Sequence, residues 1–442
     1  MTKIVIIGAG SGFGSRLSVD IMSREALQDA TIALGDIHPG RLGQVTSYVE
    51  RTVAKYDLPT QVISSTDRRE LLPGADFVIT SVAVGGGAYW GEPYRSEIEI
   101  PRKYGIYQTV ADTIGVGGIF RFLRTGPVQH QFFRDIEELC PDAYVLNHTN
   151  PMAMLTWLHS EDSTVRNVGL CHSVQGTTQQ LAAVAGVDYD QVHHFVAGIN
   201  HQAWVLELRR GTDDLYPAIW QALDDPEFLE REPVRIEMMK HFGCFVTESS
   251  RHNAEYLPYF MRTPELLDRF RITPRDVPME PRRVREWQAD GEGSEPPVGE
   301  LRRSQEYTTG IIEAMLTNVP FRFNGNVMNT GLITNLPDGC CVEVPCMVDA
   351  NGVNPCYVGP LPAQLAALNM SNVAVQELAV QAVLERDREA AFWACAVDPL
   401  TSAVLPLDGI RSMFDELWDA VEPHLKWFDP THAGPLPESC AP

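Results

Sequence analysis

The sequence is poor in basic residues. Its 442 residues include 35 lysines and arginines but 58 aspartates and glutamates, which gives a formal net charge of −23 at pH 7. A surface of this sign repels phosphate backbones, so we expect no nucleic-acid partner. No apolar run is long enough to span a bilayer, and the first residues carry no signal-peptide pattern. We therefore expect a cytoplasmic protein with no membrane partner.

The cysteines lack any regular spacing. The nine cysteines form neither a disulfide framework nor a four-cysteine zinc motif. Reduced thiols in a reducing compartment are the simpler interpretation. The chain also has no internal repeat. Its 44% of hydrophobic and 21% of charged residues are typical of a globular protein with a sizeable core.

Short apolar runs alternate with helical patterns in the first third of the chain. Buried strands are predicted at residues 3–8, 31–36, 75–82, 144–147 and 167–171, and a helix at residues 120–140. Such alternation is typical of an α/β fold in which helices cover both faces of a parallel sheet. We predict a Rossmann-like, doubly wound parallel sheet over residues 1–195.

The pattern becomes less regular after residue 195. Residues 275–301 are rich in Pro, Glu, Arg and Gly, which predicts a long exposed loop. A strand is predicted at residues 340–348 and a long helix at residues 362–386. Residues 196–442 are therefore predicted to form a second α/β (α+β) domain.

The loop after the first predicted strand has the composition of a dinucleotide-binding turn. It reads Gly-Ala-Gly-Ser-Gly-Phe-Gly over residues 8–14. Gly8 permits the tight turn and Gly10 lets the backbone approach a pyrophosphate, so these two residues and Ser11 are the predicted cofactor contacts. Asp36 ends the second strand, where an acid receives the ribose hydroxyls, and this favours NAD over NADP. Phe13 stands where the usual fingerprint has its third glycine.

Polar residues follow several of the predicted strands. Asn150 follows the strand that ends at residue 147, Cys171 and His172 follow the next strand, and His201 comes thirty residues later. Open α/β sheets bind ligands at the carboxyl ends of their strands, which makes these residues site candidates. A cysteine at a strand end is also commonly a small buried hydrophobe, and a histidine a core residue. The residues alone predict an NAD-binding protein with a polar crevice and leave its reaction open.

Longer segments resemble a known family, glycoside hydrolase family 4. They follow the family's order over most of the chain: residues 8–11 (GAGS), 111–118 (ADTIGVGG), 121–125 (RFLRT), 150–152 (NPM), 169–177 (GLCHSVQGT), 198–201 (GINH), 246–260 (VTESSRHNAEYLPYF) and 336–352 (LPDGCCVEVPCMVDANG). The CHSV tetrapeptide at residues 171–174 is similar to that of the α-galactosidases in the family. The resemblance implies an α-galactosidase that forms a homodimer or homotetramer, with residues 196–442 as the catalytic and oligomerisation domain.

The resemblance also implies cofactors and roles for particular residues. The family uses NAD and a divalent metal, usually Mn²⁺, and the matching metal ligands are Cys171 and His201. Tyr256 matches the tyrosine that acts as the base at C2 of the sugar, although Tyr259 lies close by and the stretch could also be core. Asp112 matches an acidic position beside that base, and Asn150 matches a substrate-binding asparagine.

One catalytic position departs from the family pattern. His172 stands where the phosphoglucosidase members carry an aspartate proposed as the general acid, so the identity of the general acid stays open. The family's Ser-Arg-Glu run reads Ser304-Gln305-Glu306 here, and the role of that arginine is not carried over.

The reaction implied by the resemblance differs from that of ordinary glycosidases, which use two carboxylates. NAD oxidises C3, the C2 proton is removed, the leaving group departs, water adds at C1 and the hydride returns to C3. A tyrosine acts as a base only if its pKa falls well below about 10. A nearby metal cation lowers that pKa.

Three alternatives remain at the level of sequence. Within the family, the activity could be that of an α-glucosidase, α-glucuronidase or α-galacturonidase. A 2-hydroxy acid dehydrogenase of the lactate or malate type has a similar nucleotide domain but needs no metal. A non-enzymatic NAD-binding regulator would turn over no glycoside.

Overall fold

A computed structural model describes residues 1–85, 91–277 and 297–431. Six parallel strands form one half of its sheet: β1 (Lys3–Ile7), β2 (Thr31–Gly35), β3 (Gln61–Ser65), β4 (Phe77–Thr80), β5 (Tyr144–Asn147) and β6 (Asn167–Gly169). The other strands are β7 (Val192–Ile199), β8 (Gln202–Arg210), β9 (Asp213–Asp214), β10 (Phe245–Val246), β11 (Phe321–Met328), β12 (Cys341–Asp349) and β13 (Gly352–Pro355). Within the described ranges, all 13 strands belong to one sheet.

The parallel half has the strand order β6-β5-β4-β1-β2-β3. This is the order of the doubly wound dinucleotide-binding fold, and the predicted fold class is confirmed. Every residue of β2, β4 and β5 is buried because helices cover both faces, as their continuous apolar runs predicted. Strand β3 was missed because it is a largely exposed edge strand of polar sequence.

The antiparallel half extends the same sheet beyond β6 in the order β11-β12-β7-β8-β10. Asn326 of β11 pairs with Gly169 at the end of β6, and Glu343 of β12 pairs with Gly198 near the end of β7. The predicted domain boundary after residue 195 lies inside β7, and the division into two domains stays a prediction. This register brings the ends of β6 and β7 to the same level of the sheet.

Seventeen helices lie within the described ranges: α1 (Gly12–Met22), α2 (Pro39–Tyr56), α3 (Arg68–Leu71), α4 (Tyr94–Lys103), α5 (Gly115–Leu139), α6 (Met152–Asp162), α7 (Ser173–Val184), α8 (Tyr216–Ala222), α9 (Pro226–Arg231), α10 (Pro233–Phe242), α11 (Ser250–Glu255), α12 (Pro264–Arg269), α13 (Tyr307–Thr317), α14 (Ala363–Glu385), α15 (Arg388–Val397), α16 (Pro399–Val404) and α17 (Leu407–Val421). Helix α5 is buried along most of its 25 residues. None of the helices in this part of the chain could cross a membrane.

The longest predicted elements agree with the structure. The predicted helices at residues 120–140 and 362–386 correspond to α5 and α14, and the predicted strand at residues 340–348 corresponds to β12. Most of the predicted loop at residues 275–301 falls on residues 278–296, outside the described residues.

A candidate metal and nucleotide site at the carboxyl edge of the sheet

The loop after β1 is held tightly against the neighbouring strands. The backbone N–H groups of Gly8 and Ala9 both donate to the carbonyl oxygen of Gly35, at 2.8 and 3.0 Å. The N–H of Gly10 donates to Oδ2 of Asp36 at 2.8 Å. Gly8 has φ +89°, and a Cβ there would lie 2.0 Å from the backbone oxygen of Ser81. Only glycine therefore fits at the start of this turn, and the tight turn before a helix N-terminus is the arrangement that suits a phosphate group.

Helix α1, which follows this loop, contains a glycine at position 14. The usual fingerprint has its third glycine one residue earlier, at the position of Phe13. Ser11 is the N-cap of α1, and Phe13 lies in the first turn. A Cβ on Gly14 would lie 2.3 Å from the backbone oxygen of Ala9. Gly14 thus permits the close helix–strand packing that the third fingerprint glycine normally permits, and Phe13 at the usual position does not prevent it.

Three possible metal ligands meet where β6 and β7 end. Sγ of Cys171 lies 3.3 Å from Nε2 of His201, and that nitrogen lies 3.6 Å from Oε2 of Glu248. One ligand atom from each residue lies within 4.8 Å of the other two. The sheet register explains the first pair, because Gly169 and Gly198 are level and two or three residues of each chain segment follow them.

The protonation states of the cluster suit a divalent cation. Burial, with the nearby Glu248, raises the pKa of the Cys171 thiol to about 11, so a cation is needed to hold it as thiolate at neutral pH. Burial also lowers the pKa of His201, which favours the neutral imidazole that metals bind. A thiolate, an imidazole and a carboxylate together fit a borderline divalent ion.

The backbone is in an uncommon conformation at this cluster. His201 and Glu248 have φ values of +62° and +70°, and Ala111, the residue before Asp112, has φ +56°. Left-handed φ is costly for residues other than glycine and persists where the surrounding structure demands it. These three positions aim the side chains of His201, Glu248 and Asp112 toward one another.

His252 links the metal cluster to a second carboxylate. Its Nδ1 lies 2.8 Å from Oε1 of Glu248, and its Nε2 lies 3.5 Å from Oδ1 of Asp112. Burial alone would lower the pKa of His252, but the close contacts with the Asp112 and Glu248 carboxylates outweigh it and raise that pKa well above its ordinary value. His252 is therefore the cation that balances the two carboxylates.

Asp112, Asn150 and Tyr256 line the same region. Nδ2 of Asn150 donates to Oδ2 of Asp112 at 3.1 Å, which fixes the orientation of the amide. Tyr256 is 1% exposed, and its ring centroid lies 6.4 Å from that of His201. Burial raises the pKa of Tyr256 well above 10, and the charge of Asp112 adds to this although the nearby Thr113 side chain opposes it.

The remaining candidates lie outside this cluster, Tyr259 at the surface and His172 exposed beside it. Tyr259 is 42% exposed and does not belong to it, whereas Tyr256 does. The side chain of His172 is 74% exposed, and its Nδ1 lies 3.8 Å from Oε1 of Glu306. Of the residues singled out from the sequence, the structure brings together Cys171, His201, Tyr256, Asp112 and Asn150.

Three residues of the site were missed by sequence reasoning. Glu248 and His252 lie in the 246–260 segment, eight and four residues before Tyr256, so their residue types were visible in the sequence but their contacts were not. Glu343 of β12 is fully buried, and burial, with the nearby Cys171, raises its pKa well above its usual range. The one sequence signal for Glu343 was an acidic residue inside an otherwise apolar strand.

The fold and the site define a class of protein. It is a nucleotide-binding, doubly wound α/β protein with a second site, able to hold a divalent cation, at the same edge of the sheet. The chain matches the family described as Family 4 glycosyl hydrolase over residues 3–187, and the Family 4 glycosyl hydrolase C-terminal domain over residues 196–401. The chain belongs to this family, and the resemblance found in the sequence is confirmed.

Relatives of known activity extend over nearly the whole chain. The chain is 43% identical to an α-galactosidase of Bacillus subtilis (strain 168), an alignment that covers 95% of this chain and 98% of the relative. It is 37% identical to an α-galactosidase of Rhizobium meliloti (strain 1021), covering 96% and 89%. The crystal structure of a 6-phospho-α-glucosidase from gut microorganisms in complex with NAD and Mn²⁺ has the same fold, with a TM-score of 0.76 at 21% identity, covering 99% of this chain and 100% of that chain.

Proposed function

We propose that the protein hydrolyses α-galactosides with NAD and a divalent cation, Mn²⁺ foremost, as cofactors. The observation that carries the proposal is the approach of Cys171 and His201 to 3.3 Å beside a dinucleotide loop. The two α-galactosidases at 43% and 37% identity support galactose as the sugar that is released. Family membership favours a glycosidase over a hydroxy acid dehydrogenase or a non-enzymatic regulator.

The nucleotide loop would hold NAD by its backbone. The tight turn at Gly8 and Gly10 would place the pyrophosphate at the N-terminus of α1, where Ser11 is the N-cap. The Asp36 carboxylate would receive the ribose hydroxyls and would repel the additional phosphate of NADP. Because the same carboxylate accepts the N–H of Gly10, it also sets the shape of the loop.

Cys171 and His201 would hold the cation, and Glu248 is placed to contribute a third ligand. When bound, NAD would supply a hydride acceptor and donor for oxidation and re-reduction of the sugar, and the cation would supply a Lewis acid. Burial would raise the pKa of Glu248, but the nearby His201 and the ion pair with His252 keep it below its usual range. The carboxylate is thus ionised and available at neutral pH.

Tyr256 would remove and return the C2 proton. Its phenol is buried, and its pKa in the protein alone is raised, so it holds its proton until positive charge is placed nearby. Asp112 acts against ionisation of Tyr256, so we assign it to orientation, because it fixes Asn150 at 3.1 Å. Asn150 would then bind a sugar hydroxyl. His172 is exposed beside the cluster and is the candidate for protonating the leaving group.

Assembly and location complete the proposal. Resemblance to the family supports a homodimer or homotetramer, and light scattering after size-exclusion chromatography measures this directly. The eight cysteines among the described residues are all free, which is consistent with the predicted cytoplasmic location.

The test is hydrolysis of p-nitrophenyl α-galactoside by protein that has been stripped of nucleotide and metal. We expect activity only when catalytic amounts of NAD, Mn²⁺ and a thiol reductant are all restored. The matching α-glucoside, α-glucuronide and α-galacturonide are measured in parallel to decide the sugar. Full activity of the stripped protein would exclude the proposal, and a preference for a uronide would replace galactose by a uronic acid.

A further inference from the structure

A buried carboxylate directly precedes the proposed base in the chain. Glu255 is the last residue of α11 and is 2% exposed, and Tyr256 follows it as the C-cap of that helix. Burying a carboxyl group in the protein interior is costly unless hydrogen bonds compensate, and an apolar residue at this position would carry no such cost. The hydrogen bonds that Glu255 makes therefore indicate its role.

Glu255 binds three consecutive backbone N–H groups of one loop. Its Oε1 accepts the N–H groups of Thr109, Val110 and Ala111 at 2.6, 2.8 and 3.0 Å. Residues 109–113, called the 109–113 loop below, belong to neither a helix nor a strand. Successive N–H groups that point into one concavity form a binding site for an anion. In this protein a side chain of α11 occupies that site, and it ties the loop to the helix.

The contact with Ala111 explains an uncommon backbone conformation. Ala111 has φ +56°, in the left-handed region that is costly for a residue with a Cβ. Its N–H group reaches both carboxylate oxygens of Glu255, at 3.0 and 3.2 Å. The next residue, Asp112, takes its direction from this turn, and its Oδ2 accepts a hydrogen bond from Asn150 at 3.1 Å. Glu255 thereby fixes, through the backbone, the place at which Asp112 lies.

The same loop returns to the phenol of the proposed base. The side chains of Asp112 and Thr113 both lie close enough to Tyr256 to act on the pKa of its phenol, the first raising it and the second lowering it. Glu255 adjoins Tyr256 through one peptide bond and holds the 109–113 loop through its carboxylate. These contacts form a closed ring, which fixes the phenol relative to its polar neighbours.

We propose that Glu255 is a positioning residue for the base: it holds the 109–113 loop so that the phenol of Tyr256 keeps the place from which it removes the C2 proton. The inference rests on the proposed function, in which Tyr256 is the base. Glu255 itself touches neither the sugar nor a cofactor. A displacement of reacting groups by about 1 Å can cost about a hundredfold in rate, so loss of the hydrogen bonds to the loop should be visible in turnover.

Two substitutions separate the hydrogen bonds to the loop from the charge of the carboxylate. Glu255→Asp keeps the charge but shortens the side chain by one methylene group, so the three hydrogen bonds cannot all be kept. Glu255→Gln keeps the length, and its amide oxygen can accept the same N–H groups in the place of Oε1. Asp398→Ala is the control, because it removes another buried carboxylate that accepts a backbone N–H, at the N-cap of α16.

The first measurement is turnover of the p-nitrophenyl glycoside that the wild type hydrolyses fastest. Glu255→Asp should lower kcat by about tenfold to a hundredfold and change KM by less than about threefold, since position matters most in the transition state. Glu255→Gln should keep kcat within about threefold of the wild type, and Asp398→Ala should leave it unchanged. The value of kcat is expressed per NAD-binding site, counted by fluorescence titration, so that an unfolded fraction is not counted as slow enzyme.

The second measurement observes the loop directly and needs no turnover. Hydrogen–deuterium exchange of the full chain, followed by mass spectrometry of peptides that contain residues 109–111, reports the protection of these amide groups. Exchange should be faster in Glu255→Asp than in the wild type. It should be unchanged in Glu255→Gln and in Asp398→Ala.

Several outcomes would overturn the proposal. These are an unchanged kcat in Glu255→Asp, a change confined to KM, and unchanged exchange of residues 109–111 in that variant. Equal losses of kcat in Glu255→Asp and Glu255→Gln would assign the effect to the charge and would overturn it as well. If the wild type hydrolyses none of the p-nitrophenyl glycosides, the proposed function fails separately. Amide exchange then decides whether Glu255 holds the loop: faster exchange in Glu255→Asp upholds this, and unchanged exchange overturns it.

Discussion

Sγ of Cys171 lies 3.3 Å from Nε2 of His201, although 30 positions separate the two residues in the chain. Cys171→Ser and His201→Ala should each weaken Mn²⁺ binding by about a hundredfold or more, since an inner ligand matters at least as much as the residues that support it. Calorimetric titration of the stripped protein measures this. The NAD affinity should stay the same, and Cys356→Ser, which alters another partly exposed thiol, is the control. Unchanged Mn²⁺ binding in either variant would remove that residue from the ligand set.

Tyr256→Phe should reduce turnover of p-nitrophenyl α-galactoside by about a hundredfold or more, the range expected when a positioned general base is lost. Tyr259→Phe should have little effect because that side chain is 42% exposed and lies outside the cluster. In heavy water, the galactose released by the wild type should carry deuterium at C2, because the proton held by Tyr256 exchanges with solvent. Mass spectrometry of the product checks this. A fully active Tyr256→Phe variant without C2 exchange in the wild type would contradict both the base and the order of steps.

Asp36→Ser should raise the Kd for NAD by roughly tenfold to a hundredfold, the value of hydrogen bonds to a charged group. Asp36→Asn separates two effects, because an amide oxygen can still accept the N–H of Gly10 while the negative charge is gone. Asp36→Asn should therefore reduce the ratio of the Kd for NADP to the Kd for NAD, while the conformation of the loop is retained. Fluorescence titration with NAD and NADP measures the two Kd values. An identical ratio of these values in the wild type, Asp36→Ser and Asp36→Asn would exclude a contact between Asp36 and the ribose.

His252→Gln should destabilise the metal-free protein by about 3–5 kcal/mol, because it leaves the Asp112 and Glu248 carboxylates without their cation. Urea unfolding monitored by circular dichroism measures the loss. His193→Gln changes an exposed histidine of β7 and should alter the free energy of unfolding by less than about 0.5 kcal/mol. If the two variants were equally stable, His252 would not be the balancing charge.

Asp398 gives a pH-dependent prediction far from the active site. Burial raises its pKa to about 6, although its Oδ1 accepts hydrogen bonds from the N–H and hydroxyl of Thr401. The folded protein therefore binds a proton that the unfolded chain has lost above about pH 4, so this group lowers stability as pH rises from about 4 to 6.

Asp398→Asn mimics the protonated acid and keeps the N-cap of α16. It should stabilise the protein by up to about 3 kcal/mol above pH 6, the equivalent of the pKa shift, and by little below pH 4. Thermal unfolding across this pH range tests it. A constant difference in Tm at all pH values would contradict the raised pKa.

The sequence by itself determined the parallel half of the sheet. Strands β1, β2, β4 and β5 are continuous apolar runs because they are buried on both faces, and this pattern is local. The dinucleotide loop could also be predicted from the sequence, because tight turns require glycine at particular positions. Strand β3 was not, since an edge strand is partly exposed and carries no such run.

Only the tertiary structure decided how the catalytic cluster is assembled. Cys171, His201 and Tyr256 were selected by resemblance. The proximity of Cys171 and His201 depends on β12 lying beside β7 and β11 beside β6, pairings between residues far apart in the chain. Glu248 and His252 join the site through a left-handed backbone and a shared ion pair, and Glu343 through burial in the sheet. Such contacts leave no periodic trace in the sequence, because they arise from non-local packing rather than from the conformational preference of any one segment.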